Sequence, residues 1–255
     1  MGTSNTTRFF SGLLQNSTKV NNTITFDGGV IHIIDRFLTL PQNISTTAIA
    51  LNLTSAVGAL TAANLATTVD STPDLTVFVP NNAAFQAIGG NLANLTIQQI
   101  TSVLTYHVVA GSPPLYSTNI MNGSSLQTLN GANVTVRVQG SNVFVNNARV
   151  IQPNVLVANG VVHVIDRVLN PGNSTILPDS TTTQQAFAGA SSATNVPYTS
   201  GVPTPTSVIA TSAAATGGAG GASSSTAAGA AWAPAKTGAM GLGALFGGAA
   251  LMANL

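Results

Sequence analysis

"NGVVHVIDRVL" occupies residues 159–169, and "GGVIHIIDRFL" occupies residues 28–38. The later copy is apolar on both faces until Asp166, the pattern of a strand buried between two layers. The earlier copy repeats it at an offset of 159 minus 28, or 131 residues, about the length of one ordinary domain. The spacing reads as architecture: one apolar strand used twice, at equivalent places in two domains.

Upstream of residue 159 the pattern divides into a strand-rich half and a helix-rich half. In "NVTVRVQ" (133–139) Val134, Val136 and Val138 share one face, and Gly140-Ser141 offers a two-residue turn into "NVFVNN" (142–147). "LTVFVP" (75–80) is a short apolar run ended by proline and predicts a buried strand. Asn81 or Asn82 then caps a short helix over "AAFQAI", which Gly89-Gly90 should stop. Thr96 and Gln99 form a capping box opening "IQQITSVLTYHVV", where Ile97, Ile100, Val103 and Leu104 share a face. Ile49, Leu53, Val57 and Leu60 predict an amphipathic helix within 46–66. Helices first and antiparallel strands after give an α+β domain.

The charge inventory is thin: of 255 residues, 7 are Lys or Arg and 6 are acidic, all of them Asp, for a net charge of +1. No basic cluster is available to neutralise a phosphate backbone, so no nucleic acid is expected as partner. Cysteine is absent, which excludes disulfides and thiolate metal sites. Asn-x-Ser/Thr occurs at Asn5, Asn16, Asn21, Asn43, Asn52, Asn94, Asn122, Asn133 and Asn173. N-linked glycans there would supply the hydration that so few charges cannot, and they imply passage through the secretory pathway.

"TVFVPNNAAFQAI" (76–88), "LTYHVVAG" (104–111), "VNNARV" (145–150) and "NGVVHVIDRVLNP" (159–171) stand in an order and spacing that resembles a fasciclin-like (FAS1) domain. The resemblance covers residues 41–171. It implies a β-sandwich or wedge with a cluster of helices on one side, carrying Thr76, Phe78, Pro80, Asn82, Phe85, Gly160, His163, Ile165 and Asp166 as structural motif residues. It also implies an adhesion motif, implicated in animal members in integrin-dependent contact, at Leu104, Tyr106, His107 and Val108. The alternative for Tyr106-His107 is packing of the helix end onto the sheet. Aligned at the same offset, Leu13-Leu14 faces Phe144-Val145, Val20 faces Ile151 and Ile24 faces Val155. Residues 1–40 therefore resemble the closing strands of a preceding FAS1 domain whose front is missing.

No metal or other cofactor and no catalytic residue is expected. His32 and Asp35, like His163 and Asp166, project to opposite faces of a strand because their separation is odd. Asp35-Arg36 and Asp166-Arg167 should instead partner loop backbone or one another where the strand meets solvent. No nucleophile elbow, phosphate loop or metalloprotease helix occurs.

Residues 172–236 turn to Ser, Thr, Ala, Gly and Pro, as in "GVPTPTSVIATSAAATGGAGGASSSTAAGAA" (201–231), and read as a disordered, O-glycosylated stalk. The tail "TGAMGLGALFGGAALMANL" (237–255) fits a cleaved glycosylphosphatidylinositol (GPI) signal, with Ser223, Ser224, Ser225 and Gly229 as attachment candidates. A weak transmembrane helix is the alternative. The polar start "MGTSNTTRFF" lacks a signal segment, which suggests a truncated chain; the competing reading is N-myristoylation at Gly2. The expected function is a non-enzymatic surface glycoprotein. It would meet glycoproteins or polysaccharides of a cell surface or matrix, and the membrane through its lipid anchor. A module for a small apolar or carbohydrate ligand is the alternative, ahead of a hydrolase acting on wall polymers.

Overall fold

The computed structural model describes residues 7–20, 22–111, 113–174, 185–205 and 209. Four short strands come first, β1 (Arg8–Phe10), β2 (Asn16–Thr18), β3 (Ile24–Phe26) and β4 (Gly29–Ile31), paired as two antiparallel hairpins. Three helices follow, α1 (Ile44–Ala50), α2 (Thr54–Ala62) and α3 (Ala66–Ser71), and then strand β5 (Leu75–Pro80). Helices α4 (Asn82–Ala87), α5 (Gly89–Leu92) and α6 (Ile97–Tyr106) lead into β6 (Val108–Ala110) and β7 (Ser125–Gln127). The chain then meanders through β8 (Asn133–Gln139), β9 (Asn142–Val145), β10 (Ala148–Val157) and β11 (Gly160–Ile165).

Seven of these strands form one sheet in the order β6-β5-β11-β10-β9-β8-β7. Its two edges meet through the Val109 and Thr128 bridge and a 2.8 Å bond from Leu129 N–H to the Val108 carbonyl, so the sheet curls into a near-barrel. Side-chain alternation on the central strands then feeds two cores. Leu75, Val77 and Val79 of β5, with Val162 and Val164 of β11, face the helices. Phe78 and Ile165, from the same strands, face inside the curl with Val134, Val136 and Val145. Both faces of "GVVHVI" are thus buried, as its unbroken apolar run predicts.

Five expectations are corrected. The apolar run over 46–66 is two helices, because Asn52 adopts a left-handed φ of 57° between α1 and α2, a geometry that asparagine tolerates. Helix α4 does end at Ala87, ahead of Gly89 and Gly90, but the glycines do not leave the helical path; they open α5. Ile97 is exposed, leaving Val103 and Leu104 to bury the face of α6. The strands are not all antiparallel: β11 runs parallel to β5 from Gly160 opposite Leu75 to Ile165 opposite Pro80, which the long connection through helices and five strands permits. Leu13 and Leu14 lie in the turn between β1 and β2 with φ of 56°, and it is Phe9 that pairs with Ser17 as Val145 pairs with Ala148.

Part of the segment read as stalk also packs. Within 185–205, Ala186 is buried, and Phe187, Ala190, Tyr198 and Val202 lie against the helical core. Backbone bonds tie this strap to α4 and α5, from Ala193 N–H to the Gln86 carbonyl at 2.9 Å and from Gly90 N–H to the Ser191 carbonyl at 3.0 Å. A Cβ on Gly90 would overlap Ser191 Oγ, and one on Gly58 would overlap the Tyr198 carbonyl. Low side-chain bulk here lets backbone approach backbone, so composition alone misreads the strap as free. Residues 210–236, the tail at 237–255 and the attachment candidates Ser223, Ser224, Ser225 and Gly229 lie outside the described residues. Among the described residues no helix is long and apolar enough to cross a membrane.

Candidate functional site

Helix α6 begins at the Thr96–Gln99 capping box and ends on His107, which places Tyr106 and His107 where helix meets sheet. His107 is fully enclosed. Its Nε2 accepts the Leu169 N–H at 2.9 Å, so Nδ1 carries the proton and donates to the Val103 carbonyl at 2.7 Å. Burial pushes this imidazole down to about 4, only partly opposed by the Val103 bond, and it stays neutral. Tyr106 Oη donates to the Asn133 carbonyl and accepts from Asn146 Nδ2, each at 2.9 Å, and burial raises its pKa. Leu104 and Val108 are core residues. The four residues of the expected adhesion motif are therefore buried, and a partner cannot touch them in this conformation. The packing alternative describes what they do: they fasten the end of α6 to the start of β8, to the β9–β10 turn and to Leu169 beyond β11.

The other motif residues serve the same end. His163 Nδ1 accepts the Asn154 N–H at 3.4 Å, its Nε2–H donates to the Leu115 carbonyl at 2.8 Å, and its ring stacks on Phe78 at 5.6 Å. Thr76 Oγ1 accepts the Leu115 N–H at 2.8 Å. Asn81 is the cap of α4, while Asn82 Oδ1 accepts the Ser55 N–H at the start of α2 and Asn82 Nδ2 donates to the Asn52 carbonyl. Phe85 fills the helical core, Pro80 and Ile165 end the parallel pair, and a Cβ on Gly160 would overlap the Leu75 carbonyl. Asp166 Oδ1 accepts the Arg149 N–H at 2.7 Å, and Arg167 donates to the Asn147 carbonyl at 2.7 Å. Of the Asp-Arg pairs, Asp35 and Asp166 accept from the backbone of the neighbouring strand, at Thr18 of β2 and Arg149 of β10, and it is Arg167 that reaches loop backbone, at Asn147. Among the described residues no group of three or more His or Asp could hold a metal ion.

What sequence reasoning missed is a cleft of about 740 Å³ between the first hairpin and the sheet. Phe10, Leu14, Tyr116 and Leu156 give it apolar walls, and Gln152 and Asn154 add polar edges. A bulge builds it. The β10–β11 register shifts twice between Val150 and Val155, around Pro153 and an Asn154 whose φ is 58°. Asn154 Oδ1 accepts the Ser117 N–H at 2.8 Å and its Nδ2 donates to Ser117 Oγ at 2.6 Å, which fixes Tyr116 at the wall. Pro153 inside a strand was the available signal, since proline in a strand is confined to edges and bulges.

The sequons point outward. Asn43, Asn52, Asn94, Asn122 and Asn133 are exposed and Asn16 and Asn173 are half-buried; Asn5 and Asn21 lie outside the described residues.

Comparison of the chain with known proteins finds fasciclin-like relatives. The family model described as the fasciclin domain matches residues 51–171. A fasciclin-like arabinogalactan protein of Arthroderma benhamiae is 39% identical over 201 residues, which is 78% of this chain and 47% of that protein. The fasciclin-like arabinogalactan protein CTB11 of Cercospora beticola is 34% identical over 162 residues, 63% of this chain and 43% of that one. The immunogenic protein MPB70 of Mycobacterium bovis is 41% identical over 111 residues, 42% of this chain and 55% of that protein. The chain thus spans about half the length of these curated relatives. The solved FAS1 domain pair of the insect cell adhesion molecule fasciclin I superposes with a TM-score of 0.46 at 18% identity, over 66% of this chain and 64% of that one. With helices packed on one face of a curled sheet and the motif residues knitting the two together, the chain belongs to the fasciclin (FAS1) domain family.

Proposed function

We propose that the protein is a non-enzymatic surface glycoprotein that contributes to adhesion or to contact with a cell wall or matrix. The observation that carries this reading is the placement of the sequons: five of the seven described ones put Asn on an exposed surface that has few charges. The polar groups best suited to chemistry, His107 and His163, are spent on structural bonds. The fungal relatives named as fasciclin-like arabinogalactan proteins support a glycosylated, surface setting. Recognition is weak per domain and gains strength from many copies on one surface, where effective concentration replaces single-site affinity. Its partners are glycoproteins or polysaccharides, and a GPI anchor at the end of the stalk holds it to the membrane. The test is treatment of intact cells with phosphatidylinositol-specific phospholipase, followed by glycosidase digestion of the released protein. Release with a mass shift is expected; retention in a cytosolic fraction at the unmodified mass would sink the reading.

The cleft favours a second reading, a module for a small apolar or carbohydrate ligand. Its volume and its aromatic walls at Phe10 and Tyr116 suit such a ligand. Titration with an apolar fluorophore and with oligosaccharides would decide it. Binding that Tyr116→Ala weakens about tenfold or more is expected; binding indifferent to this change would place the ligand elsewhere.

A further inference from the structure

Ten of the thirteen large apolar side chains left exposed among the described residues lie between Phe10 and Leu40. A ladder explains why they cluster there. At the offset of 131, residues 18–35 repeat the β10–β11 pair almost bond for bond. Lys19 opposite Ile34 repeats Val150 opposite Ile165, Ile24 opposite Ile31 repeats Val155 opposite Val162, and Phe26 opposite Gly29 repeats Val157 opposite Gly160. The Thr18 N–H reaches Asp35 Oδ1 at 2.7 Å, as the Arg149 N–H reaches Asp166 Oδ1 at 2.7 Å. The return bonds, from Asp35 N–H to the Thr18 carbonyl and from Asp166 N–H to the Arg149 carbonyl, are both 3.1 Å.

The surroundings of the two ladders differ. Val162, Val164 and Leu169 are 3%, 1% and 0% exposed, while their counterparts Ile31, Ile33 and Leu38 are 49%, 40% and 51% exposed. In the later ladder β5 pairs along the outer edge of β11 and the helices cover Val162 and Val164. The outer edge of β4 has no strand against it among the described residues. An open edge backed by an apolar face is a template for one more strand.

We propose that residues 8–40 are the back of a second fasciclin domain, completed by a front segment of the same kind as residues 41–142 and carried on the same polypeptide ahead of residue 8. Its six-residue apolar strand runs parallel to residues 29–34, in the register of β5 on β11, and its helices cover Ile24, Ile31 and Ile33. The two fungal relatives, of which this chain spans 47% and 43%, are long enough to hold such a segment. The 740 Å³ cleft, bounded by Phe10 and Leu14 on one side and by the β10 bulge on the other, then lies at the junction of two domains.

The test supplies the front. Residues 41–142 of this chain are placed directly ahead of residue 7 of the full chain, and amide exchange at residues 29–34 is compared with that of the chain alone. Slowing by about tenfold or more at these amides, with loss of binding of an apolar dye, is expected. In a second version Val77→Lys and Val79→Lys are made in the added copy only, and exchange at 29–34 is expected to return to its rate in the chain alone. The proposal is overturned if the added segment leaves the rate unchanged, folded or not, or if protection survives the lysines. It is also overturned if the chain alone already protects these amides in a concentration-dependent dimer, which assigns the face to a second copy.

Discussion

His107 shows how one residue converts burial into a pH dependence. The unfolded chain takes up a proton on this ring near its ordinary value of 6.5, and the folded chain only near 4. Between those values unfolding binds a proton, so stability falls as the pH drops, by about 3 kcal/mol in total for this group. Burial lowers His163 as well, which adds to the loss in the same direction. Urea denaturation from pH 7 to pH 4 should therefore show a steady decline in unfolding free energy. In His107→Gln the decline over this window should shrink by about one proton's worth, roughly 1.4 kcal/mol per pH unit at its steepest. A slope unchanged by the substitution would mean that His107 is protonated in the folded chain. The motif containing His107 was legible in the sequence, but its orientation was not. Helical spacing puts Val103, Leu104 and His107 near one another, and only the arrival of the Leu169 N–H decides that the ring faces inward.

At the scale of elements, period-2 and capping signals carried far. The buried strand at 75–80, the 140–141 turn, the capping box at Thr96 and the burial of 160–165 all follow from local pattern. Pairings between distant segments did not, because neither the parallel β5–β11 register nor the Asn154 bulge leaves a periodic trace. The strap over 185–205 is the sharpest case: its Ala, Ser, Thr and Gly content resembles a linker, yet it binds largely through backbone. Its grip can be tested at Gly58, whose absent Cβ makes room for the Tyr198 carbonyl. Gly58→Val should push the strap off α2 and break the 2.8 Å bond from Ser55 Oγ to the Pro197 carbonyl. Protease cleavage within 185–205 should become faster by about tenfold or more, with the sheet amides still protected. Cleavage at the rate of the unaltered chain would show that the strap contributes nothing to its own retention. Asn91→Ala offers a milder check, since it removes the 3.2 Å bond from Ser191 N–H to Asn91 Oδ1 without a clash.

For the whole molecule, the balance of surface chemistry sets the last expectation. A chain with 7 basic and 6 acidic residues in 255 has little charge to keep it hydrated, and sugars at exposed asparagines can take over that task. Attachment needs the side-chain amide nitrogen free and reachable, and the described sequons differ in this. Asn43 and Asn122 are exposed and use only Oδ1 in the bonds described, the first capping α1 at Thr46 N–H and the second accepting the Val138 N–H at 2.9 Å, which leaves Nδ2 unspent in those bonds. Asn173 is half-buried, and its Nδ2 donates to the Ala186 carbonyl at 3.3 Å, where the strap returns to the domain. Asn94 is exposed but donates its Nδ2 to the Gly90 carbonyl at 3.2 Å. Glycopeptide mass spectrometry of protein from a eukaryotic secretory host should find high occupancy at Asn43 and Asn122, less at Asn94 and least at Asn173. Removing the first two sequons by Ser45→Ala and Ser124→Ala, which leave both Oδ1 bonds in place, should lower solubility while leaving the folded sheet intact. Full occupancy at Asn173 in the folded protein would require the contact between Asn173 and Ala186 to open, and with it the first hold that the strap has on the domain.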